Sequence, residues 1–194
     1  MSSGDLTMSK GEHWIQLHSG APFWLDGPPS AVDIRDVAAG LAKINRFAGA
    51  TIAPYSVAQH SVHVSKLVDR LGGSKRDQLI GLLHDAHEIV LGDLPSPVKW
   101  ALNEEAGKKI VSAFENRIQE RILKGLGIKA PGARYDLVNQ ADLIALATEK
   151  RDLLRPARRS WKLDLPEPDK GLIRPVSWAA AERAFLSRYV ELRL

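Results

Sequence analysis

The chain has 194 residues, 44% of them hydrophobic and 26% charged, which suits one domain with its own core. No apolar run approaches the roughly 20 residues of a membrane span, and the absence of cysteine excludes disulfides and thiolate metal sites. The net charge of +4 is uneven: residues 150–194 hold 11 Lys+Arg against 6 Asp+Glu, a basic C-terminal part suited to phosphate, to nucleic acid or to a solvated surface.

The first segment, MSSGDLTMSKGEHW, lacks the apolar stretch of a signal peptide, so cytoplasmic residence is expected and residues 1–12 read as a loose leader. WIQLH, SGAP and FWLD then read as a short β-hairpin. From Asp33 to Phe47 the apolar positions Ile34, Val37, Ala38, Leu41 and Ile44 recur at helical spacing. Ser56 starts a second helix, with Gln59 in the position of a capping box. Its apolar stripe is Val57, His60, Val64, Leu67, Val68 and Leu71. Ser74 caps a third helix expected to run through LIGLLHDAHEIVL to the break at GDLPSP.

Ser96 and Pro97 suit the cap and first position of the next helix, and a long helical pattern follows from about Asn103 to Leu126. GLGIKAPGA interrupts it. Tyr135–Leu154 is helical, residues 155–176 hold four prolines and form a long basic loop, and Ser177 caps a last helix to about Leu192. The sum is an all-α bundle, one domain over residues 1–194, with a short N-terminal β-hairpin.

His84-Asp85 ends the run LIGLL, between His60 upstream and Asp142 downstream. Asp142 lies beside Val138, Ala141 and Ala145, and a carboxylate on an apolar face needs a partner. Two imidazoles and two carboxylates suit one divalent ion, with Co, Mn, Zn, Ni, Fe and Mg all compatible. The alternative is a buried hydrogen-bond network tying three helices. A divalent ion would lower the pKa of water from about 15.7 to about 7 and polarise a phosphoryl oxygen.

Glu88 follows His84 by four residues, and helical spacing sets it beside the cluster as a proton carrier or, blandly, a surface salt bridge. Asp93, in GDLPSP, faces either a pocket or its own backbone. Arg46, in INRFAG, offers a fork for phosphate or a partner for a helix C-terminus, and Lys99 is a further candidate cation. His63 and His87 are structural or support the cluster.

INRFAGATIAPYSVAQHS, LLHDAHEIVLGDLPSPVK and ADLIALATEKRD together resemble the HD-domain metal phosphohydrolases. Within them, the segments look like the YfbR-type 5′-deoxynucleotidases, and closer still to their YfdR-like prophage relatives, over roughly residues 13–155. The resemblance implies a helical HD bundle with one metal held by His60, His84, Asp85 and Asp142. It implies that Arg46 orients phosphate, that Glu88 is catalytic and that Asp93 meets the sugar 3′-hydroxyl. These enzymes carry tryptophan after that arginine, crowding a ribose 2′-hydroxyl; here Phe47 stands in its place, which bears on deoxyribose selectivity.

The expected activity is a 5′-nucleotidase on deoxynucleoside monophosphates, working as a homodimer. A dNTP triphosphohydrolase on the same site is the alternative, with Arg155, Arg158, Arg159 and Lys162 of the loop as cations for the distal phosphates. Cleavage of a signalling nucleotide ranks below both. A basic nucleic-acid or partner-binding module is the reading from a different class, although no basic-aromatic stripe of a single-strand binder is present.

Overall fold

The computed structural model describes Ser9, residues 11–129 and residues 132–193. The leader expected at 1–12 therefore lies, apart from Ser9, Gly11 and Glu12, outside the described residues. β1 (Trp14–Gln16) and β2 (Pro22–Trp24) pair antiparallel, with Trp14 opposite Trp24 and Ile15 opposite Phe23. This is the expected hairpin with shorter strands. Phe23 is fully buried, and the Arg121 guanidinium donates to the carbonyls of Trp24, Gly27 and Pro28, fastening the hairpin to the bundle.

The helices are α1 (Ile34–Lys43), α2 (Val57–Arg70), α3 (Lys75–Leu83), α4 (Glu88–Leu91), α5 (Ser96–Glu105), α6 (Ile110–Gly125), α7 (Tyr135–Leu153) and α8 (Trp178–Arg193). α2 lies at the centre, packed by α1, α3, α7 and α8. Its apolar stripe is buried as the periodicity predicts, with Val57, Val64 and Val68 fully enclosed and Leu67 nearly so. Full burial of each such side chain contributes about 1.5–3 kcal/mol. α3 comes close to α2 because position 81 is glycine: a Cβ there would stand 3.1 Å from the Val68 side chain and 3.5 Å from Ser65 Cα. α8 belongs to the core. It buries Phe185, and it inserts Arg188, whose guanidinium donates to Ser65 and to Gln78.

Four boundaries differ from the expected ones. α1 stops at Lys43, not Phe47, because the next residues form a strand-like bridge. The Val57 N–H donates to the Ile44 carbonyl (3.0 Å) and the Arg46 N–H to the Tyr55 carbonyl (2.9 Å). A 3-10 turn over Arg46–Gly49 follows.

The third helix does not run through LIGLLHDAHEIVL. It ends at Leu83, residues 84–87 are turns, and α4 begins at Glu88. The cause is Gln119 on α6. In a continuous helix the His87 N–H would donate to the Leu83 carbonyl. Instead it donates to Gln119 Oε1 (3.0 Å), while Gln119 Nε2 donates to the Leu83 carbonyl (2.6 Å). One side-chain amide thus replaces one rung of the helix.

The helix expected from Asn103 to Leu126 is broken between α5 and α6, where Gly107 has a φ of 62°. α5 itself starts one residue early, with Pro95 in the capping position and Ser96 inside the helix. At the capping box read from sequence, Ser56 accepts from the Gln59 N–H, but the Gln59 side chain turns instead to the Arg174 carbonyl and the Val176 N–H. The reciprocal box forms at α3, between Ser74 and Asp77. Residues 154–177 carry no helix or strand. Among the described residues, no helix is long and apolar enough to cross a membrane.

Candidate active site

Three elements deliver the expected cluster. α2 carries His60, the turn after α3 carries His84 and Asp85, and α7 carries Asp142. His60 Nε2 lies 3.3 Å from His84 Nε2, 3.5 Å from Asp85 Oδ2 and 3.2 Å from Asp142 Oδ1. His84 Nε2 lies 3.2 Å from Asp85 Oδ2 and 3.8 Å from Asp142 Oδ1. Such separations are the edges that ligands bonded at about 2.0–2.2 Å to one ion leave between them.

The far nitrogens of both rings are already engaged. His84 Nδ1 lies 2.8 Å from the Gly81 carbonyl, which can only accept, so Nδ1 carries the hydrogen. His60 Nδ1 lies 2.6 Å from Glu149 Oε1, a carboxylate oxygen that likewise accepts. Both Nε2 atoms are left as bases pointing at each other. That arrangement suits a shared cation, and the outer partners fix the tautomers as they do for metal-bound histidines.

The electrostatics agree. Burial opposes charge on His84, but Asp85 and Asp142 more than offset it and hold its pKa well above the ordinary value. Burial likewise opposes charge on Asp85 and Asp142, and the two imidazoles more than offset it, keeping both carboxylates below their usual range. The cluster therefore favours positive charge at its centre.

Arg46 is buried at the cluster's edge. Its Nε donates to Glu149 Oε2 at 3.1 Å, and its Nη1 stands 3.6 Å from Asp85 Oδ2. Burial disfavours its charge; Glu149, Asp85 and Asp142 more than offset that and hold it cationic. Sequence reasoning offered a helix C-terminus as its bland partner. α1 has ended before it, and its partner is instead a buried carboxylate.

Glu149 was missed in the sequence, where it precedes Lys150-Arg151 and resembles one more surface charge. It is fully buried and bridges His60 to Arg46. The available signal was spacing: Glu149 follows Asp142 by seven residues, two helical turns along the same face.

Glu88 and Asp93 also arrive at the cluster. Glu88 does so by the turn at 84–87 and not by the helical spacing that pointed to it. Atoms of Asp85, His87 and Glu88 lie within 4.8 Å of one another. Burial pushes the Glu88 carboxyl up to about 10, with the charges of Asp85 and Asp93 adding to the shift. Gly92, with a φ of 73°, swings the chain from α4 to Asp93. Asp93 does not bond its own backbone. Its Oδ2 accepts from the Phe47 N–H (2.9 Å) and holds that residue in a left-handed conformation with φ 56°.

Lys99 stands apart, paired with Glu115 at 2.8 Å. His87 is buried beside Glu115, with its Nε2 3.7 Å from that carboxylate. His63 faces away toward Asp169, 3.4 Å from its Oδ2. Arg155, Arg158, Arg159 and Lys162 are exposed.

Comparison with known proteins matches this sequence to a named family. The sequence model of the YfbR-like 5′-deoxynucleotidases matches residues 36–149, which include every residue of the cluster. The uncharacterised protein YfdR of Escherichia coli K12 is 32% identical over 182 residues, covering 92% of this chain and 95% of its own. An uncharacterised protein of Rhodobacter capsulatus is 33% identical over 168 residues, 83% of each chain. A 5′-deoxynucleotidase of Vibrio parahaemolyticus is 35% identical over 81 residues, 35% of this chain and 42% of its own. The chain belongs to the YfbR-like 5′-deoxynucleotidase family.

Proposed function

We propose that the protein is a metal-dependent phosphohydrolase that releases phosphate from deoxynucleoside 5′-monophosphates. The convergence of two tautomer-fixed imidazoles and two carboxylates beside a buried arginine carries this reading. The family name and the Vibrio relative's name support the substrate class. His60, His84, Asp85 and Asp142 would hold the divalent ion, which supplies Lewis acidity to water and to a phosphoryl oxygen. The residue identities leave Co, Mn, Zn, Ni, Fe and Mg open.

Arg46 binds the phosphate. Its Nε is committed to Glu149, which fixes the plane of the guanidinium and leaves the outer nitrogens for phosphate oxygens. Glu88 carries the proton. Burial and the charges of Asp85 and Asp93 favour its protonated form, the state needed to donate to a leaving 5′-oxygen. Asp93 faces the sugar, and by holding the Phe47 backbone it also sets the aromatic ring that takes the place of the family's tryptophan. Lys99 has a lesser part: Glu115 holds it, and its charge acts at longer range on Glu88 and Asp85.

Purified protein with Mn or Co should convert dAMP to deoxyadenosine and phosphate, with the rate on AMP reporting what Phe47 permits. Triphosphate from dATP with dAMP untouched would shift the assignment to the triphosphohydrolase. One observation favours that second reading: the Trp161 ring of the basic loop lies beside Phe47, and Arg158, Arg159 and Lys162 are its near neighbours in sequence. Neutralising those three and Arg155 would then impair dATP turnover selectively. The homodimer and cytoplasmic residence belong to the same proposal. Trp100, Leu102 and Ile110 offer exposed apolar surface for a dimer contact, and a monomeric mass by light scattering would count against it.

A further inference from the structure

The segment between α7 and α8 is irregular but fastened along its second half. Arg151 donates to the carbonyls of Asp169 (2.7 Å) and Gly171 (2.6 Å), and the Ile173 N–H donates to Asp152 (2.8 Å). The Asp169 N–H donates to Thr148 Oγ1, and its carboxylate meets Arg70 at 2.8 Å. The first half, residues 155–168, arches from the end of α7 toward the candidate active site and brings Trp161 there.

The Trp161 ring lies 6.4 Å from the Phe47 ring, tilted by 41°, and Lys150 Nζ stands 5.0 Å from its centre. Backbone geometry aims both rings. Among the described residues, Phe47 (φ 56°), Ala48 (φ 50°) and Lys162 (φ 53°) are the non-glycine positions with positive φ. All three adjoin this contact. Left-handed backbone is uncommon outside glycine and concentrates where a ligand site over-determines the chain.

Phe47 also marks the direction in which a nucleotide extends. The Arg46 guanidinium carbon is 5.4 Å from the Phe47 ring centre, and the Phe47 N–H rests on Asp93. A phosphate on Arg46 and a sugar at Asp93 lead the nucleobase to the ring pair. We propose that Phe47 and Trp161 form a nucleobase-stacking subsite, in which the base lies on one ring and edges against the other, with Lys150 flanking Trp161. Every base presents a π face, so the subsite selects for the presence of a base and tolerates its identity.

This inference rests on the nucleotide reading of the site, and its test separates the two. Binding of dAMP and of 2-deoxyribose 5-phosphate is measured by calorimetry on Mn-loaded E88Q protein, with and without Trp161→Ala. Loss of Trp161 should weaken dAMP about tenfold, within the range of base–aromatic stacking. It should leave the base-free sugar phosphate unaffected, and Trp161→Phe should restore most dAMP affinity. Equal weakening of both ligands, no change for dAMP, or no dAMP binding at all would overturn the subsite. Trp161-dependent dAMP binding by wild-type protein that releases no phosphate would refute the phosphatase and leave the subsite standing. Hydrolysis of dAMP with a KM indifferent to Trp161 would do the reverse.

Discussion

Glu88 and Glu149 are both buried glutamates beside the same cluster, yet their environments drive them to opposite states. Burial alone would raise both. At Glu149, on the α7 side, Arg46 and His60 more than offset burial and hold the carboxyl below its usual range. At Glu88, on the α4 side, the nearby charges of Asp85 and Asp93 act with burial, and the carboxyl is pushed up to about 10. Charged neighbours, not depth, separate the two. Oppositely displaced titratable groups around one pocket are the pattern of a site that divides proton transfer from positioning.

The comparison breaks most visibly at Glu88. Glu88→Gln should retain metal while turnover falls by about 10²–10⁴-fold, the usual contribution of a positioned acid or base; full activity alongside normal metal content would remove Glu88 from the mechanism. Glu149→Ala should act through position and stability instead. It leaves the buried Arg46 charge to the more distant Asp85 and Asp142, a loss in a urea melt below the about 3–5 kcal/mol of a fully unpaired buried charge, and it frees the His60 ring, lowering metal affinity by about 10–100-fold. Unchanged affinity by metal titration would show that the His60–Glu149 bond has no part in ligation.

A third expectation concerns pH in chelator-stripped protein. Glu88 binds its proton more tightly folded than unfolded, so between its ordinary value near 4.5 and about 10 the native state holds the extra proton. Stability therefore declines as pH rises through that window. Glu149 has the opposite sign: its contribution is present above the ordinary carboxylate value and is lost as pH falls through its depressed one. Glu88→Gln should flatten the alkaline decline and leave the acid one; an unaltered alkaline slope in denaturation midpoints would contradict the Glu88 environment. The smallest effect is a control. Asp77→Ala removes the reciprocal half of the α3 capping box, where its carboxylate accepts from the Ser74 N–H, and the acceptor of the Arg134 N–H, while the Ser74 cap itself remains. It should cost about 0.5–2 kcal/mol and leave metal content untouched, separating loss of stability from loss of the site.

How much of this was legible in the sequence depends on where the deciding partner lies. His60, His84, Asp85 and Asp142 declared themselves by residue type on apolar surroundings and by family likeness. The hairpin and the α2 stripe followed from local alternation and period. The helix break at His84–His87 was not legible: LIGLLHDAHEIVL contains no proline, its glycine lies inside α3, and the interruption comes from Gln119, more than thirty residues on. Glu149 was hidden for a similar reason. Its partners, Arg46 and His60, come from distant segments, and nothing beside it in sequence marks it as buried. Asp93 was half legible: its turn was evident, but its bond to the Phe47 backbone spans forty-six positions.

The uneven fastening between α7 and α8 has a consequence for the integrity of the chain. The ties described above lie at or beyond Asp169, and α8 is sealed by Phe185 and Arg188. The exposed stretch around Arg158 and Arg159 is open to trypsin. A single cut there should give two fragments that stay associated through gel filtration, because the scission severs no core contact. Such a clipped protein would keep its scaffold and its ligand cluster while Trp161 lost its fixed pose, a bipartite form in which recognition, and not architecture, is the first casualty of proteolysis.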